Sequence, residues 1–236
     1  MSRAIWKLAS HELRLLRRNP RVVFSNVVGL AVIVLLFLSQ VPRANESEIA
    51  ALLIVVLLAA SGGAPLSLGV HAFVAEKERR TLESLLLVPV PRMALVAGKL
   101  LPCLMVSAAE VSTVLLAAWL TAATGRVPAL TRTLATPEVA FVVAVVCPLF
   151  SLLYTQCAVI ISGRSPDAQT ASNMTALVAL PVLLILGGAW LGFVTVESGA
   201  LVFLTLLLVV INLVLMRTAV ALLPNEILIG RRGVKV

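Results

Sequence analysis

Six long stretches without a break in apolar character, at 22–41, 49–74, 100–121, 141–161, 175–194 and 200–216, constrain this chain more than any other feature. A bilayer's hydrocarbon slab demands roughly 20 apolar residues per crossing helix. Backbone N–H and C=O groups have no water to bond there, so a crossing segment must be a helix or part of a closed barrel. The stretches are continuously apolar rather than alternating, which predicts helices. With 60% hydrophobic and 13% charged residues, the chain carries far more apolar surface than one water-soluble core of 236 residues requires. The expected fold is an all-α integral membrane domain of six transmembrane helices spanning 1–236.

The distribution of lysine and arginine predicts the orientation. Sixteen of the 19 fall before the first stretch, between the second and third, between the fourth and fifth, and after the last; Arg43, Arg126 and Arg132 fall on the other side. Short loops rich in Lys and Arg stay in the cytoplasm, so both termini and the 75–92 segment are expected there, in a multi-pass protein of the cell inner membrane. The net charge of +8 then draws the inner face toward anionic lipid. No nucleic-acid module is recognisable. The first stretch follows a cationic segment of about 20 residues and is long for a leader, which predicts a retained span.

Residues 1–19 read as an amphipathic elbow helix in the interface plane. Ile5, Trp6, Leu8, Leu13, Leu15 and Leu16 recur at roughly helical spacing among Lys7, Glu12, Arg14, Arg17 and Arg18. Asn19-Pro20 ends that helix and opens the next, because the residue before proline avoids the helical region while proline suits a first turn. The tail, 217–236, is expected to be cytoplasmic.

The charged segment 75–92 is the part of the chain best suited to meet a partner in water. As a helix, Glu76 pairs with Arg80 and Arg79 with Glu83 at four-residue spacing, with Glu78 and Thr81 beside them, while Leu82, Leu85 and Leu86 form an apolar stripe. Pro89 and Pro91 must stop it, since proline lacks a donor and restricts its predecessor. A second helix is expected from Arg92 through Lys99 into the third span. A solvated loop with snorkelling arginines is the plainer reading of the same composition.

The run from Glu76 to Arg92, ending in Gly98-Lys99-Leu100, resembles the signature between the second and third helices of ABC-2 type transporter permeases, the membrane subunits of type V-like ABC exporters. Arg80 stands where many members have glycine. The tail reads Pro224-Asn225-Glu226-Ile227-Leu228, with Asn225 where the family commonly has arginine. The resemblance implies an elbow helix, six spans, and a cytoplasmic coupling helix that docks on an ATPase. It also implies a second permease subunit, identical or similar, and separate ABC ATPase subunits that hold ATP and magnesium. On that basis the coupling interface is assigned to Glu76, Glu78, Arg79, Arg80, Thr81, Leu82, Glu83, Leu85, Leu86, Pro89, Pro91 and Arg92. Asp167, in the loop after the fourth span, is assigned to a smaller second contact. Read from the residues alone, Ser165, Pro166 and Asp167 predict an ordinary helix start at Pro166.

Glu110 is the only acid well inside an apolar stretch, and a charge at that depth is costly unless it is paired or faces a cavity. It is a candidate for the pathway or for a subunit interface. Lys99 is three turns away on the same helix, too far to pair. Ser61-Gly62-Gly63, Pro65, Pro148, Pro181 and Gly187-Gly188 predict close approach or kinks, and Gln156 and Asn212 predict hydrogen bonds between helices. Cys103, Cys147 and Cys157 read as small packing residues.

No catalytic or metal site is expected, and no cofactor bound by this chain. His11-Glu12 lacks the second histidine of a zinc motif, and there is no nucleophile elbow and no aspartate pair within the spans. No phosphate-binding Gly-x-x-x-x-Gly-Lys-Ser/Thr loop is present, so ATP hydrolysis belongs to a partner. The alternatives are an ATP-independent six-helix transporter or channel and a membrane-embedded enzyme; matching broken helices would favour the former, and none is evident.

Overall fold

The computed structural model describes residues 20–78, 92–167, 169–178 and 198–232, together with Ser10 and Leu180. Among these, every regular element is helical. In chain order they are α1 (Pro20–Gln40), a short 3-10 turn (Val41–Arg43), α2 (Glu46–Glu78), α3 (Arg92–Ala123), α4 (Pro128–Leu134), α5 (Pro137–Phe141), a π-helical stretch (Val142–Val146), α6 (Cys147–Arg164), α7 (169–178) and α8 (Ser198–Arg232).

Among the described residues, five segments are long and apolar enough to cross a membrane: Val23–Gln40, Glu46–Val70, Ala97–Ala123, Pro137–Arg164 and Leu201–Ala219. They match the expected first four spans and the last. The expected fifth, 175–194, lies mostly outside the described residues, as do the elbow helix at 1–19 and most of the charged segment.

Local chemistry sets the helix starts. Pro20, Pro128 and Pro137 each occupy the first turn of a helix, where the missing N–H has no intrahelical partner to lose. At the start of α2, the Glu48 carboxylate reaches back to accept the Asn45 N–H at 2.9 Å, a capping box with the acid three residues into the turn. The π-helical stretch precedes Pro148. There the Cys147 N–H donates to the Val142 carbonyl, five residues back, and this wider turn relieves the pressure of the proline ring on the preceding turn.

Helix α2 is the centre of the bundle. It packs most extensively against α6, then α3, with α1 on a third side. Two glycines let α6 come close. A Cβ on Gly62 would lie 2.9 Å from the Tyr154 ring, and one on Gly69 would lie 2.5 Å from the Ala158 Cβ. Seven residues separate them, so both lie on one face, and Tyr154 and Ala158 answer at four-residue spacing. The larger core sits at one end, where Phe37, Val41, Ile49, Leu53 and Val114 cluster with Leu130 of α4. Toward the opposite end the clusters are small: Ala64, Leu68 and Cys103, and separately Val70 and Ala171. That more open half of the bundle holds the site described next.

Candidate functional site around Glu110

Pro65 lies inside α2 and has no N–H, so the Ser61 carbonyl four residues earlier lacks its helical donor. Ser107 of α3 supplies one. Its hydroxyl donates to the Ser61 carbonyl at 2.9 Å, and both residues are buried. Three residues along the same face of α3, Glu110 accepts the Ala64 N–H through Oε2 at 3.1 Å. Two side chains of one helix thus bind the backbone of another at its proline break. Both Glu110 and Pro65 stood out in the sequence, but nothing there joined them. Ser107 was missed altogether, although a serine one turn before a lone intramembrane acid is a signal that could have drawn attention.

Glu110 is 8% exposed and lines a cavity of about 510 Å³ between α1, α2, α3 and α7. Among the described residues it is the one charged side chain in the lining. Asn26, Ser67, Ser172 and Thr175 add polar groups, and Leu30 and Ile33 add apolar wall. The Ser67 hydroxyl donates to Asn26 Oδ1 at 2.8 Å, tying α2 to α1 across the cavity edge. Lys99 is buried, but helix rise places it about 16 Å from Glu110 along α3.

The bundle's polar contacts also fix its topology. Gly62 meets Tyr154, Gly69 meets Ala158, and Ser162 Oγ donates to the Val70 carbonyl at 2.7 Å, so α2 and α6 run parallel. Helix α3 returns antiparallel to α2, with Ser107 opposite Ser61 and Cys103 in the cluster with Leu68. The C-termini of α2 and α6 and the N-terminus of α3 therefore share one end of the bundle. Glu76 and Glu78 fall in the last turns of α2, and Arg92 opens α3 as expected. Arg79, Arg80, Thr81, Leu82, Glu83, Leu85, Leu86, Pro89 and Pro91 lie outside the described residues.

At the same end, the α6–α7 connection departs from expectation. Ser165 closes α6, its N–H and hydroxyl both donating to the Ile161 carbonyl. Pro166 is not helical. Asp167 is the cap, its Oδ1 accepting the Thr170 N–H at 2.7 Å and its Oδ2 the Thr170 hydroxyl at 3.0 Å. The Thr170 N–H, and after it the Thr170 hydroxyl, hold the exposed Asp167 carboxyl below the ordinary aspartate range.

A second polar contact joins α6 to α8. Asn212 Nδ2 donates to the Leu149 carbonyl at 3.0 Å and Gln156 Nε2 approaches Met216 Sδ at 3.9 Å, as the sequence predicted for both residues. Cys103 and Cys147 are buried and Cys157 is half-buried. Among the described residues, no three His, Cys, Asp or Glu side chains gather as metal ligands would.

Compared with known families, residues 3–191 match the model described as the ABC-2 type transporter. No curated protein matches the chain.

Proposed function

Because the chain belongs to the ABC-2 type transporter family, we propose that it is the permease subunit of an ATP-driven exporter in the cell inner membrane. It works with a second permease copy, identical or similar, and with separate ATPase subunits that bind ATP and magnesium. This chain binds no cofactor of its own. The observation that carries the reading is the family match over residues 3–191 together with the charged, proline-bounded segment between the second and third spans.

The helices on either side explain how such a segment transmits force. Helix α2 continues past Pro65 to Glu78 and α3 begins at Arg92, so 79–91 connects directly to two spans. At about 1.5 Å of rise per residue, the 33 residues of α2 form a rod of about 50 Å, longer than the roughly 30 Å hydrocarbon slab. A push on the docked segment tilts α2. Helix α6 follows through the glycine seam, and α3 through Ser107 and Glu110. Leu82, Leu85 and Leu86 form the docking stripe, and Glu76, Glu78, Arg79, Arg80, Glu83 and Arg92 set its register. Asp167, at the same end of the bundle, makes the second, smaller contact. The excess of Lys and Arg at that end supports a cytoplasmic position for it.

The test is purification of the native complex in mild detergent, with identification of the bound subunits, from wild type and from the variant carrying Leu85→Asp and Leu86→Asp. The double variant inserts normally but neither retains the ATPase nor stimulates its hydrolysis. Normal ATPase recruitment and nucleotide-dependent transport by that variant would remove the docking assignment.

A further inference from the structure

We infer that the cavity beside Glu110 is a binding site for an amphipathic organic cation, a molecule with one positive charge on an apolar body. This rests on the permease reading and names the chemistry of its cargo. Among the described residues, the carboxyl has one hydrogen bond, from the Ala64 N–H, and no basic group pairs with it. An acid at bilayer depth without a counter-charge is unfavourable, and a cation entering the cavity supplies one. An anionic cargo would meet like charge against a buried carboxyl. A purely structural role needs no charge at all, because an amide oxygen would accept the Ala64 N–H equally well.

The rest of the lining fits the same occupant. At about 510 Å³ the space is of the size that holds small organic molecules, typically about 300–1,000 Å³. Asn26 and Ser67 present polar atoms on the side where α1 meets α2, while Leu30 and Ile33 accept an apolar body. The α1 side chains Val23, Phe24, Val27 and Val28 are exposed on a helix apolar enough to cross a membrane, which suits an approach to the cavity from the bilayer. Gly29 also lines the cavity, and no atom of the described residues lies within 4 Å of where its Cβ would be, which leaves that wall open among them.

The probe is tritiated tetraphenylphosphonium, bound at equilibrium to the full chain in phosphatidylcholine nanodiscs, with empty nanodiscs as the blank and tetraphenylborate as a competitor of the same shape and opposite charge. The wild type binds the cation saturably, and tetraphenylborate does not displace it. Glu110→Gln keeps an acceptor for the Ala64 N–H, unfolds at the wild-type temperature, and binds at least about tenfold more weakly, a loss of about 1.4 kcal/mol. Gly29→Leu, which leaves the charge in place and fills the open wall, weakens binding as much and decides the matter if Glu110→Gln fails to fold. Adding phosphatidylethanolamine separates two sources of the same chemistry: competition identifies an aminolipid head group as the natural occupant, and its absence identifies a free organic cation. Equal binding by the wild type and Glu110→Gln, unchanged binding by Gly29→Leu, displacement by the anion, or no binding above the blank would each overturn the assignment. Co-purification of an ATPase, scored on the same preparations, reports on the permease reading independently of cation binding.

Discussion

Replacing Gly69 with alanine tests the closest approach in the bundle. The added Cβ would lie 2.5 Å from the Ala158 Cβ, with the Thr155 carbonyl at 3.6 Å behind it. Carbon atoms rest at about 3.5–4.0 Å, so α2 and α6 must part locally by about 1 Å or more. Ala158 and Thr155 are fully buried and offer no flexible side-chain end to yield. Overpacking of this kind costs about 1–3 kcal/mol. Against it stands the better helix propensity of alanine, about 1 kcal/mol in water-soluble helices. At this separation the clash outweighs the propensity gain, leaving a net loss of up to about 2 kcal/mol. Ala158→Gly alone also destabilises, by about 1–2 kcal/mol, through the lost methyl and the glycine in a helix. The double variant only moves one methyl from α6 to α2, so its stability returns to within about 1 kcal/mol of wild type, a coupling well beyond additivity. The measurement is reversible unfolding in mixed dodecyl maltoside and dodecyl sulfate micelles, followed by tryptophan fluorescence. Gly29→Ala, with no atom of the described residues within 4 Å of the added Cβ, is the neutral control. If Gly69→Ala matches that control, or if the two single losses simply add, the close approach of α2 and α6 is refuted.

Two further outcomes follow from the polar contacts. Ser107→Ala strands the Ser61 carbonyl and costs about 1–2 kcal/mol in the same unfolding assay, but much less in a Pro65→Ala background, where residue 65 regains the N–H that the carbonyl needs; an equal loss in both backgrounds would show that Ser107 does not serve the proline break. Asp167 has a folded-state pKa below its unfolded value, so its capping contribution is complete above the ordinary aspartate pKa of about 3.9 and is lost as pH falls through the lowered folded value. Amide exchange at Thr170 accelerates over that acid range in the wild type and not in Asp167→Asn; identical profiles would exclude the cap.

Much of the fold was legible because the physics of single helices is local. Continuous apolarity over some 20 residues forces a helix in lipid whatever its neighbours are, and proline positions set starts and breaks. The helix expected from Arg92 through Lys99 is present for that reason. The helix start expected at Pro166 is not there, because Pro166 lies in the bend that follows α6 and Asp167 caps α7, an arrangement that depends on how α6 ends. The short helix α4 and the π-helical stretch went unread, the first because seven residues carry little periodic signal and the second because a widened turn has no composition of its own.

By itself, then, the order of residues determined that this chain is a bundle of helices apolar enough to cross a membrane, where five of them run among the described residues, and that one acid is buried between them. Tertiary structure alone decided which groups meet: Ser107 with the carbonyl stranded by Pro65, Glu110 with the Ala64 N–H, Ser162 with the Val70 carbonyl, and Gly69 with Ala158. The physical reason is that α2 is apolar on every side. Where lipid and protein interior are equally apolar, hydropathy cannot say which face of a helix turns inward, and the rotation and register that bring two polar groups within 3 Å emerge only when the helices pack.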